Sequence, residues 1–118
     1  MKTIKLFALM LFAIVLSLCA SAQMNMQHSA TKTETIKVAG KCETCKSRIE
    51  KAAMTDGVIK ADWNIETQLL KVTYYPSMIS NTEIQKKIAA VGHDTEKIKA
   101  NDKVYASLPG CCKYKRMK

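Results

Sequence analysis

Hydrophobic and polar residues alternate in three short stretches of the chain, a pattern typical of β-strands with one buried face. The stretches are residues 33–38, 59–63 and 70–74. The apolar positions of the last two are Ile59, Ala61 and Trp63, followed by Leu70, Val72 and Tyr74. A weaker stretch over 95–100, diluted by charged residues, predicts a short last strand. We expect Trp63, Tyr74 and the isoleucines to lie in the core.

Two other stretches have the three- to four-residue period of amphipathic helices. The first opens at two cysteines and ends before Asp56-Gly57. The second begins at Ser80, which forms a capping box with Glu83, and it ends at Gly92. The apolar positions are Cys45, Ile49, Ala52 and Ala53 in the first helix, and Ile84, Ile88 and Val91 in the second.

The predicted order of elements over residues 33–100 is β-α-β-β-α-β. Two halves of this kind pack as a two-layer α+β sandwich of ferredoxin-like type, with both helices on one face of the sheet. Residues 101–118 follow as a C-terminal tail, which we expect to be helical through Leu108 and broken at Pro109-Gly110. The chain is therefore predicted to contain one small domain.

Residues 1–22 have the pattern of a secretory signal peptide. Lys2 and Lys5 precede an apolar run over residues 6–18, and Ala20-Ser21-Ala22 supplies a small-residue cleavage site. The apolar run is shorter than the ~20 residues that span a bilayer. We therefore predict cleavage of the signal and a periplasmic or secreted protein.

Cleavage after Ala22 would leave a flexible arm over residues 23–32 in front of the domain. Lipid anchoring at Cys19 is the alternative, because Leu16-Ser17-Leu18-Cys19 has some likeness to a bacterial lipoprotein signal. The whole chain has a formal net charge of +9, and loss of the two lysines of the signal would leave +7. A basic surface attracts acidic partners. Export and the absence of aromatic residues interleaved with basic ones argue against nucleic acid, so we expect an acidic-faced protein partner.

Four cysteines remain after the predicted cleavage, in two close pairs. Cys42 and Cys45 are separated by two residues, and Cys111 and Cys112 are adjacent. An even count in an oxidising compartment commonly indicates a disulfide framework, but pairs this close in sequence cannot staple distant parts of a fold. These thiols are therefore predicted to have a chemical role.

Cys42 and Cys45 lie between a predicted strand and the start of a predicted helix. Unpaired N–H groups and partial positive charge at a helix N-terminus favour the thiolate over the thiol, and Lys41 and Lys46 are expected to act in the same direction. Two converging thiolates suit copper(I), whereas structural zinc requires four ligands. This pair is predicted to be the primary soft-metal site.

These motifs resemble those of the heavy-metal-associated domain family, which includes copper chaperones, copper-ATPase N-terminal modules and periplasmic mercury-binding proteins. The family's metal loop Gly-Met-x-Cys-x-x-Cys corresponds to Gly40-Lys41-Cys42-Glu43-Thr44-Cys45, without the methionine and with the glycine one residue nearer the first cysteine. Gly57-Val58 and Ala90-Val91-Gly92-His93-Asp94 resemble two later family segments. The resemblance implies that Cys42 and Cys45 bind copper(I), with Hg(2+) or Zn(2+) as other candidate ions.

Three further residues are candidate ligands. The resemblance places His93 beside the metal loop, as a third ligand or as a hydrogen-bond partner of a ligand. Cys111 and Cys112 are candidates for additional soft-metal ligands, for disulfide partners of Cys42 or Cys45, or for an intermolecular link. The tail is long enough to return from residue 100 to the metal loop.

The combined prediction is an exported soft-metal carrier, a metallochaperone or scavenger that transfers copper(I) by thiolate exchange and catalyses no reaction. Its partner would be a metal-transporting ATPase or an efflux component. The alternatives are a thiol-disulfide oxidoreductase, because a CxxC pair at a helix start is also a redox site, and a metal-sensing accessory domain of a transporter.

Overall fold

The computed structural model describes residues 30–117, so the predicted signal peptide, Cys19 and most of the predicted arm lie outside the described residues. The elements are β1 (Lys32–Lys37), α1 (Glu43–Ala53), β2 (Val58–Trp63), β3 (Leu69–Tyr74), α2 (Asn81–Ala90) and α3 (Asp102–Ala106), with a 3-10 turn over Gly110–Cys112. Among the described residues, no helix has the length and apolar character needed to cross a membrane.

The three strands form an antiparallel sheet in the order β1-β3-β2. Its inner face carries apolar residues, which apart from β2 follow the alternation predicted from the sequence, and these pack with Ile49 of α1 and with Ile84 and Ile88 of α2. The buried strand residues are Ile36, Val58, Trp63, Leu70, Val72 and Tyr74. The outer face presents polar residues, as expected for a sheet covered on one side. The predicted two-layer α+β architecture of ferredoxin-like type is confirmed.

The expectation that Ile59 lies in the core is wrong. Val58 pairs with Tyr74 and Lys60 with Thr73, so Ile59 is an extra residue in a bulge of β2. A bulge changes the side to which the chain directs its side chains, and it leaves Ile59 with 48% of its surface exposed while Val58 is buried. The alternation after the bulge still directs Trp63 into the core.

The predicted last strand over residues 95–100 is reduced to one bridge, between Val38 and Thr95. Side chains take the place of a neighbouring strand here. The Gln85 carboxamide oxygen accepts a hydrogen bond from the Lys97 N–H (2.9 Å), and the Thr95 N–H bonds within a tight turn. The Glu96 N–H still donates to the Lys37 carbonyl of β1 at 3.0 Å, and the chain turns away after that bond because the following backbone groups are already bonded.

The predicted limits of α2 are confirmed. The Ser80 hydroxyl accepts a hydrogen bond from the Glu83 N–H at 3.1 Å, and the helix is followed by Gly92 with a φ of +106°. The tail also packs against Gly92, where an added Cβ would lie 2.9 Å from the Leu108 side chain. The end of α2 is therefore the place where the tail returns to the domain.

The tail packs on the domain instead of extending from it. The predicted helix is present but shorter than expected, because α3 ends at Ala106. The break at Pro109-Gly110 then leads into the 3-10 turn, and Leu108, Cys112 and Tyr114 are all buried in the domain core. The tail is thus part of the folded unit.

Gly40 lies where the chain passes the Trp63 ring before entering the metal loop. The Trp63 indole N–H donates to the Val38 carbonyl at 3.0 Å, which holds the ring against this segment. A Cβ added at Gly40 would lie 2.7 Å from the ring. The close approach therefore requires glycine.

We predict that Gly40→Ala lowers the free energy of unfolding by about 1–3 kcal/mol, the usual cost of overpacking a core. Guanidinium unfolding followed by the fluorescence of Trp63, the single tryptophan, measures this. Gly110→Ala is the matched control, because a Cβ added there would have no atom of residues 30–117 within 4 Å apart from its chain neighbours. Equal losses of stability in the two variants would contradict the close-approach argument.

Candidate metal centre

Cys42 and Cys45 occupy the start of α1, as the sequence predicted. Cys42 is the N-cap residue with extended backbone (φ −145°, ψ 176°), and Cys45 lies in the first turn, where its side chain is buried. Their sulfur atoms are 3.4 Å apart. The helix start therefore turns both thiols to the same point.

The tail brings a third sulfur to this point. The Cys112 Sγ lies 3.7 Å from the Cys42 Sγ, and Cys112 is fully buried. The three sulfur atoms of Cys42, Cys45 and Cys112 all lie within 4.8 Å of one another, and no other such group of three metal-ligating side chains occurs among residues 30–117. We call this group the sulfur cluster.

The spacing of the sulfur cluster suits three-coordinate binding. With a metal–thiolate bond of about 2.3 Å, two sulfurs on opposite sides of an ion would be about 4.6 Å apart, and three around it about 4.0 Å apart. The observed 3.4 and 3.7 Å are closer to the second value. Three soft donors at this spacing fit a thiophilic ion after a small outward adjustment.

The thiols of the sulfur cluster differ in acidity. Burial disfavours the Cys42 thiolate, but the Cys45 backbone N–H at the helix start, the Cys45 thiol and the tail thiols outweigh it and lower the Cys42 pKa to about 7. Burial raises the pKa of Cys112, and the neighbouring Cys45 and Cys42 raise it further. In the metal-free protein, Cys42 is therefore the readily ionised thiol and Cys112 the protonated one.

Lys46 does not act on the thiols as expected. Its ammonium group donates to Glu50 (2.7 Å), Asp62 (2.9 Å) and the Trp63 carbonyl (2.7 Å). The carboxylates of Asp62 and Glu50 raise the pKa of Lys46, so its ammonium group stays protonated, and their negative charges compensate its positive charge. The acidity of Cys42 therefore comes from the helix start and the neighbouring thiols.

His93 lies outside the sulfur cluster. Its Nδ1 is 2.9 Å from the Ala39 carbonyl oxygen, and its ring stacks on Tyr114 at a centroid distance of 5.4 Å. Burial lowers the His93 pKa, so the neutral ring donates Nδ1–H to Ala39 while the buried Nε2 has no partner among the described residues. The structure thus places this candidate ligand between the metal loop and the tail.

Cys111 also lies outside the sulfur cluster. It is exposed, and its sulfur is 4.0 Å from that of Cys112. Of the two adjacent tail cysteines, only Cys112 enters the core, because the 3-10 turn directs neighbouring side chains to different sides.

Sequence reasoning missed the residues that hold the tail. Arg116 donates to both carboxylate oxygens of Asp94 (2.8 and 3.0 Å), and the Tyr114 hydroxyl donates to the Gly92 carbonyl at 2.7 Å. Nothing in the sequence pairs an aspartate with an arginine twenty-two residues later. The available sign of a docked tail was that Tyr114 and Arg116 closely follow the two adjacent cysteines.

We predict that alkylation of Cys42 in the metal-free, reduced protein rises with pH around a midpoint near 7, because the thiolate is the reactive species. Iodoacetamide rates measured by peptide mass spectrometry between pH 5.5 and 9 test this. Cys112 should react far more slowly, since it is buried and its pKa is raised. A Cys42 midpoint of 8.5 or above, near the ~8.5 of a free thiol, would contradict the electrostatic argument.

Parts of two metal-transporting ATPases are similar in sequence to this chain. The chain is 39% identical over 69 residues to a zinc-transporting ATPase from Synechocystis and 40% identical over 63 residues to a copper-exporting P-type ATPase from Staphylococcus aureus strain Newman. These matches cover 57% and 52% of this chain, but only 10% and 8% of the relatives. The chain therefore corresponds to a small part of each transporter.

A solved structure of the CopZ metallochaperone superposes with a TM-score of 0.52 at 33% identity, covering 54% of this chain and 98% of CopZ. The sequence profile of the heavy-metal-associated domain matches residues 35–94, about half of the chain. That segment contains the metal loop, the second half of β1, the other two strands and both long helices. The protein therefore belongs to the heavy-metal-associated domain family.

Proposed function

We propose that this protein is a soft-metal carrier that binds copper(I) at the sulfur cluster and passes it on by thiolate exchange. The observation that carries the proposal is the convergence of the three sulfurs within 4.8 Å. Soft thiolate ligands select copper(I) and other thiophilic ions over hard cations. Membership of the heavy-metal-associated domain family supports the same class of cargo.

Copper(I) is favoured over the other candidate ions by coordination number. The sulfur cluster offers three donors, and copper(I) accepts two or three thiolates, whereas a closed structural zinc site has four ligands. The names of the relatives include copper-exporting and zinc-transporting ATPases. Zn(2+) and Hg(2+) therefore remain the ions to compare with copper(I) in direct competition.

Transfer would proceed by exchange of one thiolate at a time. A thiolate of the partner bonds to the ion, one sulfur of this chain leaves, and the released thiolate takes up a proton. Cys42 is the cluster member with partial exposure, so the partner's thiol would approach from its side. The net charge of +9, or +7 after loss of the two signal lysines, favours an acidic-faced partner, such as a metal-transporting ATPase or an efflux component.

Export forms part of the proposal. The lysines, apolar run and small residues of positions 1–22 support a cleaved signal and a periplasmic or secreted location. The mass of the mature protein from its native host tests this. Cleavage after Ala22 leaves Gln23 at the N-terminus, whereas the lipoprotein alternative leaves a lipidated Cys19.

A second candidate function is thiol-disulfide exchange, which the 3.4 Å separation of the Cys42 and Cys45 sulfurs and the lowered Cys42 pKa favour. A metal carrier should bind copper(I) and fail to reduce insulin disulfides at a rate above that of free thiols. Catalysed insulin reduction together with weak copper(I) binding would support the oxidoreductase instead.

We predict that Cys42→Ser/Cys45→Ser removes most of the copper(I) affinity, because it leaves one thiolate of three. Cys112→Ser should weaken binding by roughly 10-fold or more, since even loss of a ligand's hydrogen-bond partner costs about that much. Anaerobic competition with a chromophoric copper(I) chelator measures both. Cys111→Ser is the matched control, because Cys111 is adjacent and exposed. Unchanged affinity in the double variant would refute the proposed function.

We further predict that copper(I) binding near pH 7 releases about one more proton from the unsubstituted protein than from Cys112→Ser. The reason is that the raised pKa of Cys112 keeps this thiol protonated until the metal displaces the proton. Proton counts from titrations in weakly buffered solution with a pH indicator test this, with Cys111→Ser again as control. Equal counts for the unsubstituted protein and Cys112→Ser would show that Cys112 does not bind as a thiolate.

A further inference from the structure

Cys112 reaches the sulfur cluster through a turn that cannot by itself hold it there. The backbone hydrogen bonds of this turn join Cys112 to Pro109 (2.8 Å), Lys113 to Gly110 (3.2 Å) and Tyr114 to Cys112 (2.8 Å). All of them lie within the tail. The position of the Cys112 sulfur relative to Cys42 must therefore depend on contacts between the tail and the domain.

The strongest polar contact of that kind is the pair formed by Asp94 and Arg116. The Asp94 side chain is only 1% exposed, and its two oxygens accept bonds from Arg116 Nε and Nη2 (2.8 and 3.0 Å) and from the N–H groups of Ala100 (2.8 Å) and Met117 (3.1 Å). A planar guanidinium matches a carboxylate in this two-point geometry. Two of these four donors belong to Arg116 and one to Met117, so the tail supplies most of the charge compensation.

Arg116 is fixed from other sides as well. Its Nη2 donates to the Ala100 carbonyl at 2.6 Å, its Nη1 to Asp102 at 3.1 Å, and its guanidinium lies 4.5 Å from the centre of the Tyr105 ring. These contacts join the end of the tail to the segment that precedes it. Arg116 therefore connects the last residues of the tail to its first residues.

The loop that carries Asp94 is bonded directly to the metal loop. The Ala39 N–H donates to the Asp94 carbonyl at 2.9 Å, and His93 bonds to the Ala39 carbonyl. On the tail side, the Tyr114 hydroxyl accepts from the Asp94 N–H (2.8 Å), and the Tyr114 ring stacks on His93. Residues 92–94 thus form one bonded frame between Ala39, three residues before Cys42, and Tyr114, two residues after Cys112.

We propose that Asp94 and Arg116 are positioning residues for the third sulfur, and that their ion pair decides whether the bound ion has three thiolate ligands or two. With the pair formed, the frame holds the tail so that Cys112 joins Cys42 and Cys45. With the pair broken, the tail separates and the two-thiolate site at the start of α1 remains. This inference rests on the proposed metal-carrier function and names the residues that set its coordination number.

Metal binding and tail docking are then thermodynamically coupled. An ion bound to all three sulfurs stabilises the docked tail, and the docked tail stabilises the ion by the same free energy. A partner thiol that replaces Cys112 on the ion removes this link, so the same pair also governs how easily the ion is handed over. The coupling gives the proposal a quantitative test.

The test is a double-mutant cycle between Arg116→Gln and Cys112→Ser, using copper(I) alone as the probe. Arg116→Gln by itself should weaken copper(I) binding by roughly 10-fold or more, as Cys112→Ser does, and should lower the sulfur coordination number from three to two in X-ray absorption spectra. In the Cys112→Ser background, Arg116→Gln should cause no further loss. Lys115→Gln is the matched control, because it removes one positive charge from the exposed neighbour.

Equal effects of Arg116→Gln in the two backgrounds would mean that the pair only stabilises the fold, and would overturn the proposal. An unchanged coordination number in Arg116→Gln would overturn it as well. Failure of the underlying function has a different signature, namely full copper(I) affinity in Cys42→Ser/Cys45→Ser. Arg116→Lys, which keeps the charge without the planar fork, should recover part of the loss.

A measurement without substitutions at the pair covers the case in which Arg116→Gln does not fold. The Met117 and Ala100 amides donate to Asp94 and report whether the pair is formed. Copper(I) should slow hydrogen exchange at both amides in the unsubstituted protein and leave it unchanged in Cys112→Ser. Equal slowing in the two proteins would show that the metal is not coupled to the pair through Cys112.

Discussion

A carboxylate withdrawn from water is stable only when donors reach both of its oxygens, and Asp94 meets this requirement with four donors from Arg116, Ala100 and Met117. Removal of one partner from such a pair leaves an uncompensated buried charge, which is strongly destabilising, so the pair favours the arrangement in which both partners meet. Here the arrangement includes the return of the tail to the domain. The inference that this pair positions the tail connects it to the burial of Leu108, Cys112 and Tyr114 in the core and to the position of the Cys112 sulfur in the sulfur cluster.

The sulfur cluster combines two environments that the fold supplies separately. The start of α1 favours the Cys42 thiolate, whereas the core around the tail disfavours ionisation of Cys112. In the proposed carrier, the more acidic Cys42 would hold the ion, and the weakly acidic Cys112 would take up a proton when the ion leaves. In that proposal, the burial of Cys112 assists release of the ion because it favours the protonated thiol.

The residues that match the family profile and the tail that follows them are adjacent in sequence. Residues 35–94 match the family profile, and the CopZ structure is covered almost completely by 54% of this chain. Cys112 and Arg116 lie beyond residue 94. The matched residues include Cys42 and Cys45, whereas the third sulfur, that of Cys112, lies in the tail outside the match.

Local sequence pattern was sufficient to predict most of the fold, because alternation, helical period and capping depend on neighbours in sequence. The three strands, the Ser80 cap and the helix start at the cysteines were all predicted correctly. The exposure of Ile59 was not, since a bulge depends on the partner strand, and the last strand failed because Gln85 bonds to backbone that a strand would have paired. For the site, sequence alone identified Cys42, Cys45 and the candidates His93, Cys111 and Cys112. Only the tertiary structure separated Cys112 from Cys111 and His93, because the contacts between tail and domain, such as the Asp94 and Arg116 pair, join residues with no local relation.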